Sequence, residues 1–284
     1  MDFWMPLICT PGDAVERLVE TAQAAESAGF AGLALIDHVV IPTKRATIHP
    51  SGEDRLAEQM PFLDPFTTAA ALAVATRELR FTSYSYVLPL RDPFNVAKQV
   101  TTAAILSEYR VVLGAGVGWF FEEMAAMGVN PRNRGRRVDE MLEIIEGFWA
   151  DGYCEHHGAF FDFPNSAMFP VPQRRIPIWI GGMSDAALKR AARHDGWMSD
   201  AHPIEEVVQC LRTVHAWRDA AGQHGEFETM VAVTDAASPA MYQRLGDEGA
   251  TSVITVPWEL GNPDYVSFDA RRGAIERFAE RFID

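Results

Sequence analysis

The chain has 284 residues, of which 48% are hydrophobic and 23% charged, an ordinary balance for a globular protein with a sizeable core. Acidic side chains outnumber basic ones by 39 to 25, and the net charge of -14 argues against partners that are nucleic acids or anionic membranes. The chain shows no signal peptide and no apolar run of about 18 residues, and its three cysteines lack CxxC spacing. These features predict a cytoplasmic protein.

Short apolar runs alternate with segments of helical periodicity along the whole chain. Runs typical of buried strands occupy residues 3–8, 32–36, 80–88, 110–114, 176–180, 196–199, 227–233 and 252–256. Helical spacing follows at residues 13–28, 64–76, 93–106, 119–149 (in two pieces broken near 130–131), 184–194, 204–221, 239–247 and 265–283. About eight strands, each followed by a helix, favour a (β/α)8 TIM barrel over an open sheet. We predict one domain over residues 1–284, with a non-periodic excursion at 151–175 between strands four and five.

A parallel barrel keeps its chemistry on the loops that follow the strands. Asp37 and His38, which we predict to be the catalytic residues, follow the second predicted strand, and His38 could donate a proton there. The alternative is that Asp37 caps a turn while His38 is a structural histidine.

Two glycine-rich turns each join a predicted strand to a helix. One contains Gly114, Gly116 and Gly118, and the other contains Gly181 and Gly182. Such turns can offer backbone N–H groups to an anion, although either could simply end a strand. The first turn lacks the GxGxxG spacing of a dinucleotide fold. Together the two turns indicate a phosphorylated cofactor.

Two further groups of residues leave alternatives open. No HxH or HExxH motif is present, but a metal held by His38 and His202 would make a barrel hydrolase. A basic cluster could hold an anionic ligand, although we favour a solvated helix start paired with nearby acids, Asp139, Glu140 and Glu143. The cluster consists of Arg132, Arg134, Arg136 and Arg137.

Several stretches together resemble the luciferase-like monooxygenase superfamily, in particular its branch that depends on deazaflavin F-420. They are residues 29–42, 87–93, 98–99, 114–119, 134–140, 178–182 and 196–197. The resemblance implies a (β/α)8 barrel, a cofactor ring lying over the strand ends, and commonly a homodimer. It places His38, beside Asp37, near the ring and the reacting substrate.

The resemblance also implies where the cofactor binds. Tyr84 and Ser85 fall where the family often has a kink or a non-proline cis peptide. The ring-lining turn matches Gly116, Val117, Gly118 and Trp119. The phosphate-binding turn matches Gly181, Gly182 and Met183.

The chain departs from the family pattern in two places. Before the fourth strand, where relatives usually read Ser-Gly-Gly-Arg, it reads Ser107-Glu108-Tyr109-Arg110, on what we expect to be the bottom of the barrel. Trp119 stands where sugar-phosphate-oxidising relatives carry a glutamate, which favours an apolar substrate over a sugar.

Aromatic residues near the predicted strand ends could form an apolar pocket, although we expect several to be core residues. They are Trp4, Phe62, Tyr84, Tyr86, Trp119, Phe120 and Trp258. The sequence therefore predicts an oxidoreductase that uses deazaflavin F-420, which we favour, or reduced FMN, on a small apolar or aromatic substrate. The non-enzyme alternative is a barrel that has lost its cofactor and serves as a binding protein.

Overall fold

The computed structural model describes residues 1–8, 17–49, 56–260 and 262–283. Its strands are β1 (Asp2–Leu7), β2 (Gly32–Leu35), β3 (Arg80–Ser83), β4 (Tyr86–Val87), β5 (Val111–Gly116), β6 (Tyr153–His157), β7 (Asp162–Ala167), β8 (Ile178–Gly181), β9 (Gly196–Met198), β10 (Glu228–Val231) and β11 (Ser252–Ile254). Its helices are α1 (Leu18–Ser27), α2 (Pro65–Val74), α3 (Pro93–Leu106), α4 (Phe121–Ala126), α5 (Arg134–Asp151), α6 (Asp185–Ala191), α7 (Ile204–Ala220), α8 (Pro239–Asp247) and α9 (Phe268–Phe282).

Eight parallel strands close into a barrel. They pair in the order β3-β2-β1-β11-β10-β9-β8-β5, and pairing between β3 and β5 completes the ring. The short β4 continues the course of β3 and also pairs with β5. The predicted (β/α)8 barrel is therefore confirmed, and its carboxyl-terminal strand ends form one mouth.

Three regions differ in detail from the sequence prediction. The strand expected at 80–88 is divided into β3 and β4. The excursion at 151–175 is an antiparallel hairpin of β6 and β7, which lies between the fourth and fifth barrel strands as expected. The helix expected at 13–28 is observed from Leu18, and its first residues lie partly outside the described part of the chain.

The helix starts show why these segments fold as helices. Asp64 accepts a hydrogen bond from the backbone N–H of Thr67, and Pro65 occupies the first helical position of α2. Asp92 caps α3 in the same way, again followed by a proline. Such caps pair N–H groups that have no partner within the helix and fix where each helix leaves its strand.

The bottom of the barrel is closed by an aromatic and ionic cluster. The rings of Trp4 and Trp179, both fully buried, lie 5.3 Å apart, and the Arg80 guanidinium lies 5.4 Å from each ring. Arg80 also makes two hydrogen bonds, of 2.6 and 2.9 Å, to Glu228. The lower barrel is thus filled by two indole rings and an ion pair, although Nε1 of Trp179 has no hydrogen-bond partner among the described residues.

The loop before β5 forms a second closure at the bottom. Arg110 donates hydrogen bonds to the backbone oxygens of Ala73 and Leu79 and to the hydroxyl of Thr76. Glu108 and Tyr109 have φ of 55° and 66°, a left-handed conformation that favours glycine. These are the two positions where the family pattern usually has Gly-Gly.

Candidate active site at the barrel mouth

His38 lies just beyond the carboxyl end of β2, in the barrel mouth. Its Nδ1 is 2.8 Å from Oε2 of Glu123, and the two side chains are only 7% and 2% exposed. An ionised carboxylate only accepts hydrogen bonds, so we assign the ring proton to Nδ1. Nε2 has no hydrogen-bond partner among the described residues. The ring is therefore held through one nitrogen, and the other remains for a ligand.

Asp37, the neighbouring residue, points into the core. Its carboxylate makes hydrogen bonds of 2.6 and 2.7 Å to the Arg91 guanidinium, and accepts a third from the backbone N–H of Val87. Burial raises the pKa of Asp37, while Arg91 and the Val87 N–H oppose that shift. Both carboxylate oxygens are occupied. The sequence predicted both Asp37 and His38 as catalytic residues, but this geometry lets Asp37 hold the strand end that carries His38.

The third barrel strand bends into the mouth between β3 and β4. The Tyr84–Ser85 peptide is cis, as the resemblance predicted, and the Tyr84 hydroxyl donates to the backbone oxygen of Ser199 at 2.5 Å. A Cβ on Gly116 would lie 2.1 Å from Ser85 Oγ, and one on Gly181 would lie 3.0 Å from Ser85 Cβ. These two glycines therefore leave room for the Ser85 side chain.

The mouth loop (residues 36–49) is pinned by two consecutive carboxylates at the start of α4. Glu123 accepts from the backbone N–H groups of Val39 and Val40 at 2.6 and 3.3 Å. Glu122 accepts from Ala46 and Thr47 at 2.6 and 3.0 Å. Hydrogen bonds from the Thr47 side chain and from both backbone groups lower the pKa of Glu122 to about 2. One dipeptide thus holds both legs of the loop.

Trp119 forms an aromatic wall of the mouth. Its ring centroid is 5.9 Å from that of His38 and 4.7 Å from that of His49, both in edge-to-face arrangements, and the ring stacks on Phe120. The centroid of the Phe62 ring lies 4.9 Å from that of the His38 ring, also edge-to-face. His38 thus sits among flat apolar surfaces.

The four arginines expected at 132–137 cluster beside this wall, at the start of α5. Arg134 donates to the backbone oxygens of Gly118 at 3.2 Å and Pro131 at 2.7 Å, which ties the cluster to the glycine-rich turn. Arg137 lies 4.5 Å over the ring of Phe161. None of the four has a carboxylate within 4.0 Å in the described part of the chain.

The expected pairing of these arginines with nearby acids is wrong. Asp139 instead makes hydrogen bonds of 2.7 and 3.0 Å to Arg190, and Glu140 accepts three backbone N–H groups of the hairpin at residues 159–161. In a chain of net charge -14, this leaves a local surplus of positive charge at the edge of the mouth.

Comparison with known proteins identifies the family. The sequence profile of the luciferase-like monooxygenases matches residues 6–244. The chain belongs to the luciferase-like monooxygenase family. It is 38% identical to an uncharacterized protein of Mycobacterium tuberculosis over 271 residues, 93% of this chain and 94% of that protein.

Two further relatives of this luciferase-like enzyme extend the comparison. It is 25% identical to the F-420-dependent hydroxymycolic acid dehydrogenase of M. tuberculosis, over 94% of this chain and 78% of that protein. A monooxygenase from Streptomyces bottropensis shares the fold, with a TM-score of 0.80 and 19% identity over 100% and 99% of the two chains. Relatives include both flavin-dependent and F-420-dependent enzymes, and this luciferase-like protein is accordingly an oxidoreductase.

In this luciferase-like enzyme, the turn at Gly181, Gly182 and Met183 was expected to offer backbone N–H groups to a phosphate, but its hydrogen bonds differ from that prediction. The Gly182 N–H donates to the backbone oxygen of Met198, and the Gly182 oxygen accepts from the Trp197 ring. Gly182 therefore completes the barrel and does not present its N–H to the mouth. The backbone oxygen of Met183 faces the Cys210 thiol at 3.8 Å.

The seven aromatic residues proposed for a mouth pocket divide into two groups. Trp4, Tyr86 and Phe120 are at most 1% exposed and belong to the packed interior, as the alternative interpretation held for several of them. Phe62, Tyr84, Trp119 and Trp258 are partly exposed.

Sequence reasoning missed Glu122, Glu123 and His49, which the structure brings to the mouth. Glu123 lies four residues after Trp119, one helical turn beyond the glycine-rich turn, and that spacing was the available signal. His49 gave none, because it lies in a loop without periodicity.

The histidine proposed as a metal partner of His38 contacts another residue, since His202 lies 2.9 Å from Glu206. Among the described residues, no group of three His, Cys, Asp or Glu side chains is arranged to hold a metal ion. In the same part of the chain, no helix combines the length and the apolar character needed to cross a bilayer.

Proposed function

We propose that this protein is an oxidoreductase that binds deazaflavin F-420 at the barrel mouth and acts on a small apolar or aromatic substrate, with reduced FMN as the alternative cofactor. The observation that carries the proposal is the His38–Glu123 pair, which leaves Nε2 of a buried histidine for a ligand. The preference for F-420 is supported by an F-420-dependent relative that aligns over 94% of the chain.

The residues at the mouth fit such a cofactor. Trp119 and Phe62 offer flat apolar surfaces to a ring, and the unpaired arginines at 132–137 offer positive charge to phosphate or carboxylate groups. Gly116, Val117 and Gly118 lead from β5 to Trp119, and the Gly118 oxygen accepts a hydrogen bond from Arg134, which supports a role for this turn beside the cofactor. Tyr84 and Ser85 would contact the cofactor from the third barrel strand. We keep these residues, with Gly181 and Met183, as the proposed cofactor contacts, and leave out Gly182 because its N–H and its oxygen bond within the barrel.

When bound, the cofactor would supply hydride transfer or oxygen activation. The chain's own residues would bind and orient the reactants and move a proton. Nε2 of His38 would exchange a proton with the substrate oxygen, while Glu123 holds the ring in one orientation. Asp37 would act as a positioning residue, because its bonds to Arg91 fix the strand end below His38. The pinned mouth loop would exclude water from the reacting atoms.

The test is a fluorescence titration of the purified full chain with F-420 and with FMN in parallel. We expect micromolar binding of F-420 and weaker binding of FMN. Tighter FMN binding would replace the cofactor assignment, and binding of neither would overturn the oxidoreductase proposal.

A charge-matched pair of variants tests the arginine cluster. Arg132→Gln with Arg136→Gln removes two exposed charges, and we expect F-420 affinity to fall about tenfold, equivalent to about 1.4 kcal/mol. The control, Arg272→Gln with Arg277→Gln, removes two exposed charges from α9 and should change affinity less than about twofold. Equal losses in both variants would show that only net charge matters.

The cytoplasmic location and the homodimer remain predictions that rest on the sequence. Two cysteines in the described part of the chain, Cys154 and Cys210, are free thiols, which is compatible with a reducing compartment.

A further inference from the structure

An apolar pocket lies beside the mouth, between the carboxyl ends of the first two barrel strands and the start of α2. It is lined by residues 7–8 at the end of β1, residues 35–36 at the end of β2, residues 60–63 before α2, and Thr68 of α2. All of these side chains except that of Thr68 are apolar, and the pocket is partly open to solvent. The candidate active site therefore has an apolar neighbour on one side.

Phe62 connects this pocket with the candidate active site. Its side chain lines the pocket, and its ring centroid lies 4.9 Å from that of His38. The next residue, Leu63, also lines the pocket and is 37% exposed, so the apolar surface continues to the rim. A molecule held by Nε2 of His38 can thus extend an apolar part into the pocket.

Thr68 places a single hydroxyl group in this apolar lining. The residue is only 9% exposed, and its side chain has no hydrogen-bond partner in the part of the chain that the structure describes. The hydroxyls of Thr76 and Thr102 instead donate to backbone oxygens four residues earlier, the usual arrangement in a helix. Because a buried hydroxyl without a partner is unfavourable, the Thr68 hydroxyl is available to an occupant of the pocket.

The lining determines the chemical class of that occupant. Among the described residues, no charged side chain lines the pocket, and a buried charge without a partner is strongly unfavourable. A hydroxyl both donates and accepts hydrogen bonds, so Thr68 suits an uncharged alcohol, ether or carbonyl oxygen. The side chains other than Phe62 are not aromatic, whereas Trp119 offers a flat ring surface elsewhere in the mouth. The pocket therefore suits an aliphatic chain.

We propose that this pocket binds an aliphatic chain of the substrate, and that Thr68 binds an uncharged oxygen atom carried by that chain. Phe62 and Leu63 are specificity-determining residues, because they form the side of the pocket nearest to His38 and to the rim. The inference rests on the proposed function, since it names the part of the substrate that lies next to the reacting group.

The first experiment measures how affinity depends on chain length. The full chain with carbon-13-labelled methionine methyl groups is titrated with the primary alcohols from 1-butanol to 1-octanol, and the dissociation constants are read from the Met60 methyl signal. We expect affinity to rise about fourfold for each added methylene until the pocket is full, equivalent to about 0.8 kcal/mol. The methyl signal of Met127, on the exposed end of α4, should not move.

A matched pair of variants assigns this dependence to the pocket. Leu63→Trp narrows the pocket at the rim, and we expect the rise to fall below about 1.5-fold for each methylene. The control, Leu106→Trp, makes the same change at an exposed leucine at the end of α3 and should keep the fourfold rise. A wild-type protein without the rise, or a rise that survives in Leu63→Trp, overturns the inference.

The second experiment tests the Thr68 hydroxyl. Thr68→Val keeps the shape of the side chain and removes its hydroxyl. The terminal diol, from 1,4-butanediol to 1,8-octanediol, that binds the wild type most tightly should bind the variant about tenfold more weakly, because its second oxygen loses its partner. The primary alcohol of the same length should change by less than about twofold. Equal changes for the two probes would refute the assignment of Thr68.

The two proposals fail separately. Binding of the alcohols as expected, by a chain that binds neither F-420 nor FMN, would support the pocket and refute the cofactor assignment. Cofactor binding without any dependence of alcohol affinity on chain length would do the reverse.

Discussion

The two ends of the barrel treat their polar groups differently. At the bottom, Arg80 donates to Glu228 and Arg110 donates to backbone oxygens, and two tryptophan rings pack edge-to-face beside Arg80. At the mouth, His38 is held through one nitrogen only, and four arginines have no acidic partner in the described chain. The difference indicates where the fold is secured and where it is kept ready for a ligand. Substitutions at each end of the barrel test that division.

The largest effect on stability is expected at the bottom. Trp179→Ala removes a fully buried ring and leaves a cavity against Trp4, which should lower the free energy of unfolding by about 4 kcal/mol. The measurement is the denaturant midpoint, with the partly exposed Trp217→Ala as control. Cofactor affinity of the folded protein should be unchanged, and a selective loss of affinity would contradict the division between the two ends.

Asp37→Asn should lower the free energy of unfolding by about 3 kcal/mol, because it leaves the buried Arg91 guanidinium without its carboxylate. The double variant Asp37→Leu with Arg91→Met removes both charges and should recover part of that loss. Urea unfolding of the three variants forms the test. A double variant as unstable as the sum of its single variants would show that the two residues do not interact.

Glu123→Gln should lower the free energy of unfolding by about 2 kcal/mol, since a charged acceptor of three hydrogen bonds is replaced by a neutral amide. Nitrogen-15 spectra of the histidine rings give a second readout. In the wild type His38 should carry its proton on Nδ1, and in the variant both tautomers should be populated. A structural role alone would lower stability and leave the tautomer unchanged.

Glu122→Ala should lower the free energy of local opening at residues 46–47 of the mouth loop by about 1 kcal/mol. That change corresponds to about fivefold faster amide exchange at Ala46 and Thr47. Because the folded pKa is lowered to about 2 from 4.5, the contribution is complete above about pH 4.5 and is lost as the pH falls toward 2. Intrinsically corrected protection should therefore be constant from pH 5 to 8. Protection that declines across that range would assign the clamp to another group.

The smallest effect is a gain. Glu108→Gly relieves a left-handed conformation at an exposed position and should stabilise the protein by about 0.5 kcal/mol, after allowance for the extra freedom of glycine when unfolded. The same substitution at Glu248, whose φ is -90°, should destabilise the protein. Thermal unfolding of both variants decides the point.

The sequence predicted the barrel well because strand and helix periods are local properties. The segment at 239–247 was predicted with its observed ends, since Ser238 caps it and Pro239 begins it. The site was predicted less completely, because its contacts join distant residues. His38 could be placed at a strand end, but Glu123 lies 85 residues away and Arg91 54 residues from Asp37. The arginine cluster was misinterpreted because helical spacing predicted acidic partners that tertiary contacts had already taken.

The adjacent clamps of Glu122 and Glu123 have a consequence for engineering. They hold the mouth loop at residues 39–40 and 46–47. Residues 41–44, which lie between these anchors, make no hydrogen bond to the rest of the described chain. A segment tied at both ends can be exchanged or lengthened at low entropic cost. Residues 41–44 therefore form a natural graft position, where the rim of the barrel can be redesigned while both histidines keep their anchors.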